Sequence, residues 1–453
     1  MQHAPRGLTR RHVEFLTLGG TIGGGLFLGV GQGIRAAGPA MILAFLAAGC
    51  AVFVVARCLG ETALAVGGRA TFVRTTRLNL GPRVAFIGGW SYWACTVLTC
   101  MAELVGAGIL LRVWLPALPP WVAALPALVL LSGLNRMRVR VFGEIEFWMA
   151  MLKVVACVAI VVLGLMLAAD PARRPEVGID KLWVDGGFLP NGWRGLLLAL
   201  PAAVFAFGGS ELVGLASADA EQPAALASRV GRAILIRTTV IYVGVTTALL
   251  VVMPWRTVSV ANSPFVDFLA RVGLPGSSTV MAVVVLSAIL SSGNACLYGA
   301  TRVLASLAEE GLAPPRLGLR NDNGAPGAAV TVSSCLVAVA IGLELLVPGR
   351  LFVSLLTMSA ITGLANWAIF TITHLRSIRH RQGRAKTDIA WISGNVAVLA
   401  LIGVTVAVVA TGSGTRPAVL AVALLFGTLT VAAFLLIPAR SADRERSSVP
   451  CGR

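Results

Sequence analysis

The sequence predicts an all-α protein that crosses a membrane many times as a single transmembrane domain. Three observations carry that prediction: composition, the placement of basic residues, and two glycine-rich interruptions of apolar segments. Of the 453 residues, 57% are hydrophobic and only 13% charged, with a mean hydropathy of +0.85. Soluble domains carry about 25% charged residues. An apolar helix needs about 20 residues to span the hydrocarbon core.

Twelve segments meet or approach that length: 13–36, 39–66, 84–115, 121–135, 144–169, 193–218, 230–253, 276–307, 327–346, 351–375, 389–411 and 417–437. They place a short N-terminus at 1–12, a transmembrane domain at 13–437 and a charged tail at 438–453. No cleavable leader is expected, because the first apolar run is too long for an h-region. The external loop 170–192 is short, and no soluble domain interrupts the spans.

The net charge of +17 could suggest a nucleic-acid partner. Its distribution argues against one. Basic residues concentrate in alternate loops, among them Arg6, Arg10 and Arg11; Arg69, Arg74, Arg77 and Arg83; Arg136, Arg138 and Arg140; Arg229 and Arg232; Arg376 to Lys386; and Arg440 to Arg446. The intervening loops hold fewer, such as Arg35, Arg112, Arg256, Arg350 and Arg416. This is the positive-inside pattern, and it puts both termini in the cytoplasm. The arginine-, alanine- and glycine-rich composition suggests a GC-rich bacterial source, hence an inner-membrane location. The cysteines lie mostly inside apolar segments without metal-ligand spacing, so they read as small core residues and no cofactor is expected.

The first span contains Gly19, Gly20, Gly23, Gly24, Gly25, Gly29, Gly31 and Gly33. Each glycine costs roughly 1 kcal/mol in a helix interior, so one continuous helix is not expected there. A broken helix leaves backbone groups unpaired, which a bilayer tolerates only where they face protein, water or a ligand. The sixth span repeats the feature at Phe205-Ala206-Phe207-Gly208-Gly209-Ser210-Glu211, with Pro201 one turn earlier. The two interruptions are five helices apart and oppositely oriented. Such pairs point to a LeuT-type 5+5 inverted repeat with its site at broken helices 1 and 6. The repeats would be 13–169 and 193–375, with two peripheral helices at 389–437. Close helix packing through small residues is the competing explanation of either glycine patch alone.

At these residues the chain resembles the amino acid permeases of the amino acid–polyamine–organocation superfamily, in their amino acid:proton symporter branch. The resemblance runs through Gly20 to Gly29, Ala37-Gly38-Pro39, Gly60-Glu61, Gly89 to Trp93 and Met101 to Leu104. It continues through Val141 to Trp148, Lys153, Gly186 to Gly192, Phe205 to Gly214, Leu290 to Asn294, Arg302 and Leu307 to Pro314. Departures are the loop 70–82, which lacks the usual tyrosines, Ala295 in place of a common serine, and Pro201. The resemblance implies secondary-active uptake of an α-amino acid without naming it. The expected partners are the amino acid, protons as coupling ion, and membrane lipid. No oligomeric state follows from the sequence.

A zwitterion must have two charges neutralised inside the membrane. The N–H groups at Gly23, Gly24 and Gly25 suit the carboxylate. Carbonyls near Gly19, Gly20, Thr21 and Ile22, and around Phe205 and Ala206, suit the ammonium. Phe207 is a candidate aromatic gate. Ser210 either enters the pocket or bonds back within its helix. Lys153 lies roughly 15 Å into the fifth span and is a candidate for proton coupling; the alternative is a permanent cation held by helix 1 carbonyls. Glu103 is a candidate for substrate contact or proton carriage, against a structural hydrogen bond. Glu61, Glu144 and Glu146 read as residues of helix ends paired with Arg57 or with Arg136 to Arg140. Glu211 is expected to brace the second break, and Glu344 to be interfacial.

Rival readings are an exchanger or uniporter of the same fold, a membrane sensor, a channel and a membrane enzyme. A channel needs a polar filter ring. An enzyme needs clustered catalytic groups, whereas His3, His12, His374 and His380 read as edge residues.

Overall fold

The computed structural model describes residues 10–66, 71–112, 114–115, 117–137, 139–169, 177–211, 231–260, 262–273, 275–343, 351–379, 385–412 and 414–438. Among them every regular element is helical and none is a strand. Eight stretches are long and apolar enough to cross a membrane, and three shorter apolar helices accompany them. Much of the outer surface is correspondingly greasy: Trp148, Val155, Leu165, Leu424 and Leu435 are exposed. Apolar side chains turned outward in this number suit lipid and not water. This is a multi-pass membrane protein.

The first apolar stretch, Glu14–Ala65, is not one helix. It divides into α1 (Arg10–Thr21), a bend at Ile22 and Gly23, a π-type turn (Gly25–Gly29), α2 (Val30–Ala37), a corner at Gly38 and α3 (Met41–Ala65). The predicted interruption of the first span therefore falls at Ile22 and Gly23. The 70–82 segment, expected as a loop, contains α4 (Phe72–Leu80). Thr71 caps it by accepting from Arg74 N–H, and its hydroxyl meets Ser306 at 2.7 Å. Then come α5 (Pro82–Leu111), α6 (Pro120–Leu134), α7 (Val139–Ala168), the single turn α8 (Lys181–Val184) and α9 (Gly192–Phe207).

After α9 the chain turns at Gly208 to Glu211. The remainder of the expected sixth span, 212–218, lies outside the described residues, as do Glu344, the N-terminal residues 1–9 and the tail beyond Pro438. The second half comprises α10 (Gly231–Val252), α11 (Pro264–Val272), α12 (Ser277–Glu309), α13 (Gly327–Leu343), α14 (Leu351–Arg379), α15 (Ala385–Thr411) and α16 (Arg416–Leu436).

The most extensive packing joins α5 to α12 and α14. Around that scaffold, α1 lies against α7 and α12, α2 and its π turn lie against α9, and α10 bridges α3 and α7. One continuous apolar core fills the space between them. The two interrupted segments thus end up side by side, surrounded by α5, α7, α10 and α12.

Charged groups at the helix ends differ in part from expectation. Glu61 pairs with Arg57 at 2.5 Å and also meets His374 Nε2 at 2.9 Å. His374 is buried, with Cys58 and Asn395 on its other nitrogen. His3 and His380 lie outside the described residues, as does the side chain of His12. Glu144 pairs with Arg11 at 2.5 Å, and Arg136 donates to Ser132 O and Thr331 Oγ1; the side chains of Arg138 and Arg140 lie outside the described residues. Glu146 is fully buried and, among the described residues, pairs with no arginine. The physical reason is helix length. The sequence suggested a start at 144, but α7 starts at Val139. Five more residues push Glu146 about 7.5 Å deeper at 1.5 Å per residue.

Candidate binding site at two broken helices

A helix leaves its last four carbonyls without backbone partners. At the end of α1 side chains take up those groups one by one. Lys153 Nζ donates to Gly19 O at 2.6 Å and to Ile22 O at 2.9 Å, with Ala288 O at 3.5 Å. Ser292 Oγ lies 3.0 Å from Gly20 O. Tyr242 Oη lies 2.7 Å from Thr21 O and 2.7 Å from Ala206 O. Three helices, α7, α10 and α12, therefore hold the carbonyls freed at the break, and Tyr242 joins one break to the other.

The breaks also touch directly. Gly209 has φ +91°, a backbone region that side chains rarely adopt. A Cβ there would sit 2.8 Å from Gly20 O. A Cβ on Gly25 would sit 2.6 Å from Ala206 Cα. Glycine at both positions is what lets the backbone around the first break approach the end of α9.

Beyond α9, Glu211 braces the turn. Its Oε2 accepts from Gly209 N–H at 3.1 Å, and its Oε1 accepts from Trp367 Nε1 at 2.5 Å. Glu103 does the same for the first break: its Oε2 accepts from Gly24 N–H at 2.8 Å, and its Oε1 lies 2.8 Å from Ser292 Oγ. Glu146 is bonded to Ser291, the residue next to Ser292, and accepts from Asn294 Nδ2 at 3.1 Å. Asn294 in turn accepts from Asn135 at 2.9 Å. Glu103, Glu146 and Lys153 are all buried within this polar cluster. Lysine and glutamate are almost never fully buried unless paired. Here one cation and two carboxyls share a buried enclosure around a single helix break.

A cavity of about 380 Å³, counting its mouth, opens beside the second break. Tyr92, Thr99, Phe205, Glu211, Ser359 and Trp367 are among its walls. The aromatic side chain of α9 on this cavity is Phe205. Phe207 is turned into a separate aromatic cluster, with its ring centroid 4.9 Å from Tyr242 and 6.4 Å from Phe45. Of the two phenylalanines, Phe205 and not the expected Phe207 lines the cavity.

The structure brings together Thr21, Ile22, Gly23, Gly24, Gly25, Phe205, Ala206, Glu103 and Lys153. Ser210 is buried at the same turn, and Phe207 faces away from the cavity. The carbonyls expected to receive an ammonium already have side-chain partners, so a ligand must share their second lone pairs or displace those donors. Sequence reasoning did not single out Tyr242, Ser292 or Trp367. Tyr242 left one clue: it is one of only three tyrosines and falls mid-span, where a hydroxyl must find a partner.

Residues 12–437 match the family model described as amino acid permease. The amino-acid permease AapA of Bacillus subtilis is 36% identical over 389 residues, covering 85% of this chain and 84% of its own. The aromatic amino acid transport protein AroP of Escherichia coli K12 is 36% identical over 377 residues, covering 83% and 82%. Among solved structures, a mutant of the Eremococcus coleocola manganese transporter aligns with a TM-score of 0.58 at 14% identity. That alignment covers 94% of this chain and 92% of the other, and it shows a shared fold.

Proposed function

The chain belongs to the amino acid permease family, a family of transporters and not of enzymes, and from that premise we propose that it moves an α-amino acid across the bacterial cytoplasmic membrane by alternating access, coupled to protons. The observation that carries the proposal is the meeting of two unwound segments deep in the helix bundle, with glycine at each contact. In this reading the twelve spans form two inverted five-helix repeats, 13–169 and 193–375, plus two peripheral helices, and both termini face the cytoplasm. Backbone N–H groups at Gly23 to Gly25 take the substrate carboxylate. Carbonyls at Gly20, Thr21 and Ala206 take its ammonium through their second lone pairs. The side chain enters the cavity beside Phe205.

Recognition by backbone groups serves any α-amino acid, so selectivity falls to the cavity walls. Lys153 is the coupling residue. Its ammonium reaches Gly19 O, Ile22 O and Ala288 O, three acceptors that a neutral amine with two N–H groups cannot all serve, so proton occupancy is linked to the geometry of the break. An exchanger that needs counter-substrate on the far side is the alternative mode of the same site.

The cradle makes a chemical demand that can be tested by competition. An amino acid that is transported should lose its ability to compete when its carboxylate is esterified or its amine acetylated. Competition by the methyl ester as strong as by the free acid would remove the carboxylate from the reading.

A further inference from the structure

Away from the two breaks, near the inner end of α14, three helices meet on one imidazole. His374 of α14 is 2% exposed. Its Nε2 lies 2.9 Å from Glu61 Oε2 of α3, and Arg57 donates to the other oxygen of that carboxyl at 2.5 Å. Its Nδ1 lies 3.4 Å from Asn395 Nδ2 of α15 and 3.4 Å from Cys58 Sγ of α3. Cys58 donates its thiol proton to Asn395 Oδ1 at 3.0 Å. None of these side chains lines the cavity.

The hydrogen count permits two states of the ring. With one proton, Nε2–H serves Glu61, and Nδ1 accepts from the Asn395 amide, whose oxygen accepts from Cys58. With a second proton on Nδ1, two donors would face each other. Turning the Asn395 amide over removes the conflict: Oδ1 then accepts from Nδ1–H, and Nδ2 donates to the sulfur, a weak acceptor. The cluster can thus take up a proton and leave neither ring nitrogen unpaired. What changes is the contact with Glu61. It gains a direct attraction between opposite charges, which is strong where water is excluded.

We infer that His374 is a regulatory proton site on the cytoplasmic side: protonated, it clamps α14 to α3 through Glu61 and slows transport, and neutral, it lets the two helices part. The inference rests on the transport reading for its orientation and adds a brake to it. Two placements give the clamp its leverage. α3 follows the first broken segment, and α14 carries Trp367, which braces the second break through Glu211. Trp367 and His374 are seven residues apart, two turns along one face of α14. Alternating access moves one group of helices against another around the site. Proton-driven uptake delivers acid to the inside, so the clamp tightens as uptake proceeds.

Helices α3, α4, α5, α9, α15 and α16 and the π-type turn pack against α14. From α3 the groups on His374 are Glu61, with Arg57 behind it, and Cys58; from α15 it is the uncharged Asn395. The side chains of Lys386 and Asp388 on α15 lie outside the described residues. Arg74 and Arg77 of α4 are engaged by Glu310, and Arg83 of α5 by Ile437 O. Tyr92 and Cys95 of α5 line the cavity, and Cys100 and Glu103 lie by the first break. Arg194 and Arg416 stand in the first turns of α9 and α16, at the outer ends, and the π turn has no ionisable side chain. On α14 itself Arg376 is exposed.

The test varies pH on one face only. A thermal-shift screen of the purified protein against the proteinogenic amino acids selects the amino acid, and its exchange is followed in right-side-out membrane vesicles at constant external pH. As the internal pH falls from about 8 to about 6, the range in which a histidine changes charge, exchange by the wild type should slow about threefold or more. His374→Gln can still hydrogen-bond Glu61 but cannot become charged, and should lose most of that slope while Lys153 stays in place. An unchanged slope in His374→Gln overturns the inference, as does a wild type that is flat or quickens on internal acidification. If His374→Gln does not fold, Glu61→Gln removes the other charge of the clamp and should flatten the curve alike; a slope kept there is equally contradictory. A second readout needs no transport. The charged pair adds stability below the titration of the histidine and loses it above, so the wild type should melt above His374→Gln at low pH and lose that advantage as pH rises. A melting difference that is constant across pH overturns the clamp. The expected melting difference in a wild type that exchanges no amino acid would support the clamp and overturn the transport reading instead.

Discussion

Replacing Lys153 with alanine is expected to abolish uptake driven by a pH gradient and to destabilise the fold by about 3–5 kcal/mol. The substitution removes the donor that holds both Gly19 O and Ile22 O. Each buried carbonyl left without a donor costs about 1–3 kcal/mol. The substitution also removes the one cation in the enclosure shared with Glu103 and Glu146, which leaves buried carboxyls without their counter-charge. Uptake should fall on the order of a hundredfold, because small displacements of groups that position a substrate cost that much. Uptake in vesicles with and without an inward proton gradient checks it, alongside a melting curve. A Lys153→Ala protein that retains gradient-driven accumulation would make Lys153 a structural cation, the alternative left open by the sequence.

The second large effect concerns the contact between the two breaks. Gly209→Ala forces a side chain into a positive-φ backbone and places its Cβ 2.8 Å from Gly20 O. The backbone conformation alone costs roughly 1–2 kcal/mol. The clash comes on top of it and can be relieved only by separating the two unwound segments. Transport should be lost. Gly273→Ala is the matched control: Gly273 has φ +79°, and a Cβ there meets nothing within 4 Å. It should cost similar stability and keep transport. Equal activity in the two variants would mean that the contact between breaks has no part in transport.

Much of this arrangement was legible in the sequence, and for a physical reason. Glycines are expensive inside an apolar helix, so runs of them at Gly19 to Gly25 and at Gly208 and Gly209 marked the breaks by cost alone. Lys153 was legible in the same way, as a charge too deep to be incidental. Glu146 was not, because burial depends on where a helix starts, and α7 starts five residues before the apolar pattern does. Glu146, beside Gly19, is thus part of the enclosure and not of a helix end.

The choice between Phe205 and Phe207 was illegible for a different reason. Both sit on the same short stretch, and which one faces the cavity depends on the local course of α9 up to its end at Gly208. Periodicity does not resolve that beside a break. The other partners of the freed carbonyls were hidden. Tyr242 and Ser292 come from two helices far apart in the chain, and only the packed fold brings their donors to adjacent carbonyls.

The central claim is that two broken helices form an amino acid site loaded together with protons. Its most direct measurement is uptake of a panel of labelled amino acids by vesicles reconstituted with the protein, with and without an inward proton gradient. The account predicts that at least one amino acid accumulates, and that the gradient drives it above equilibrium. Failure of every amino acid to enter, with the protein correctly folded in the vesicles, would contradict it.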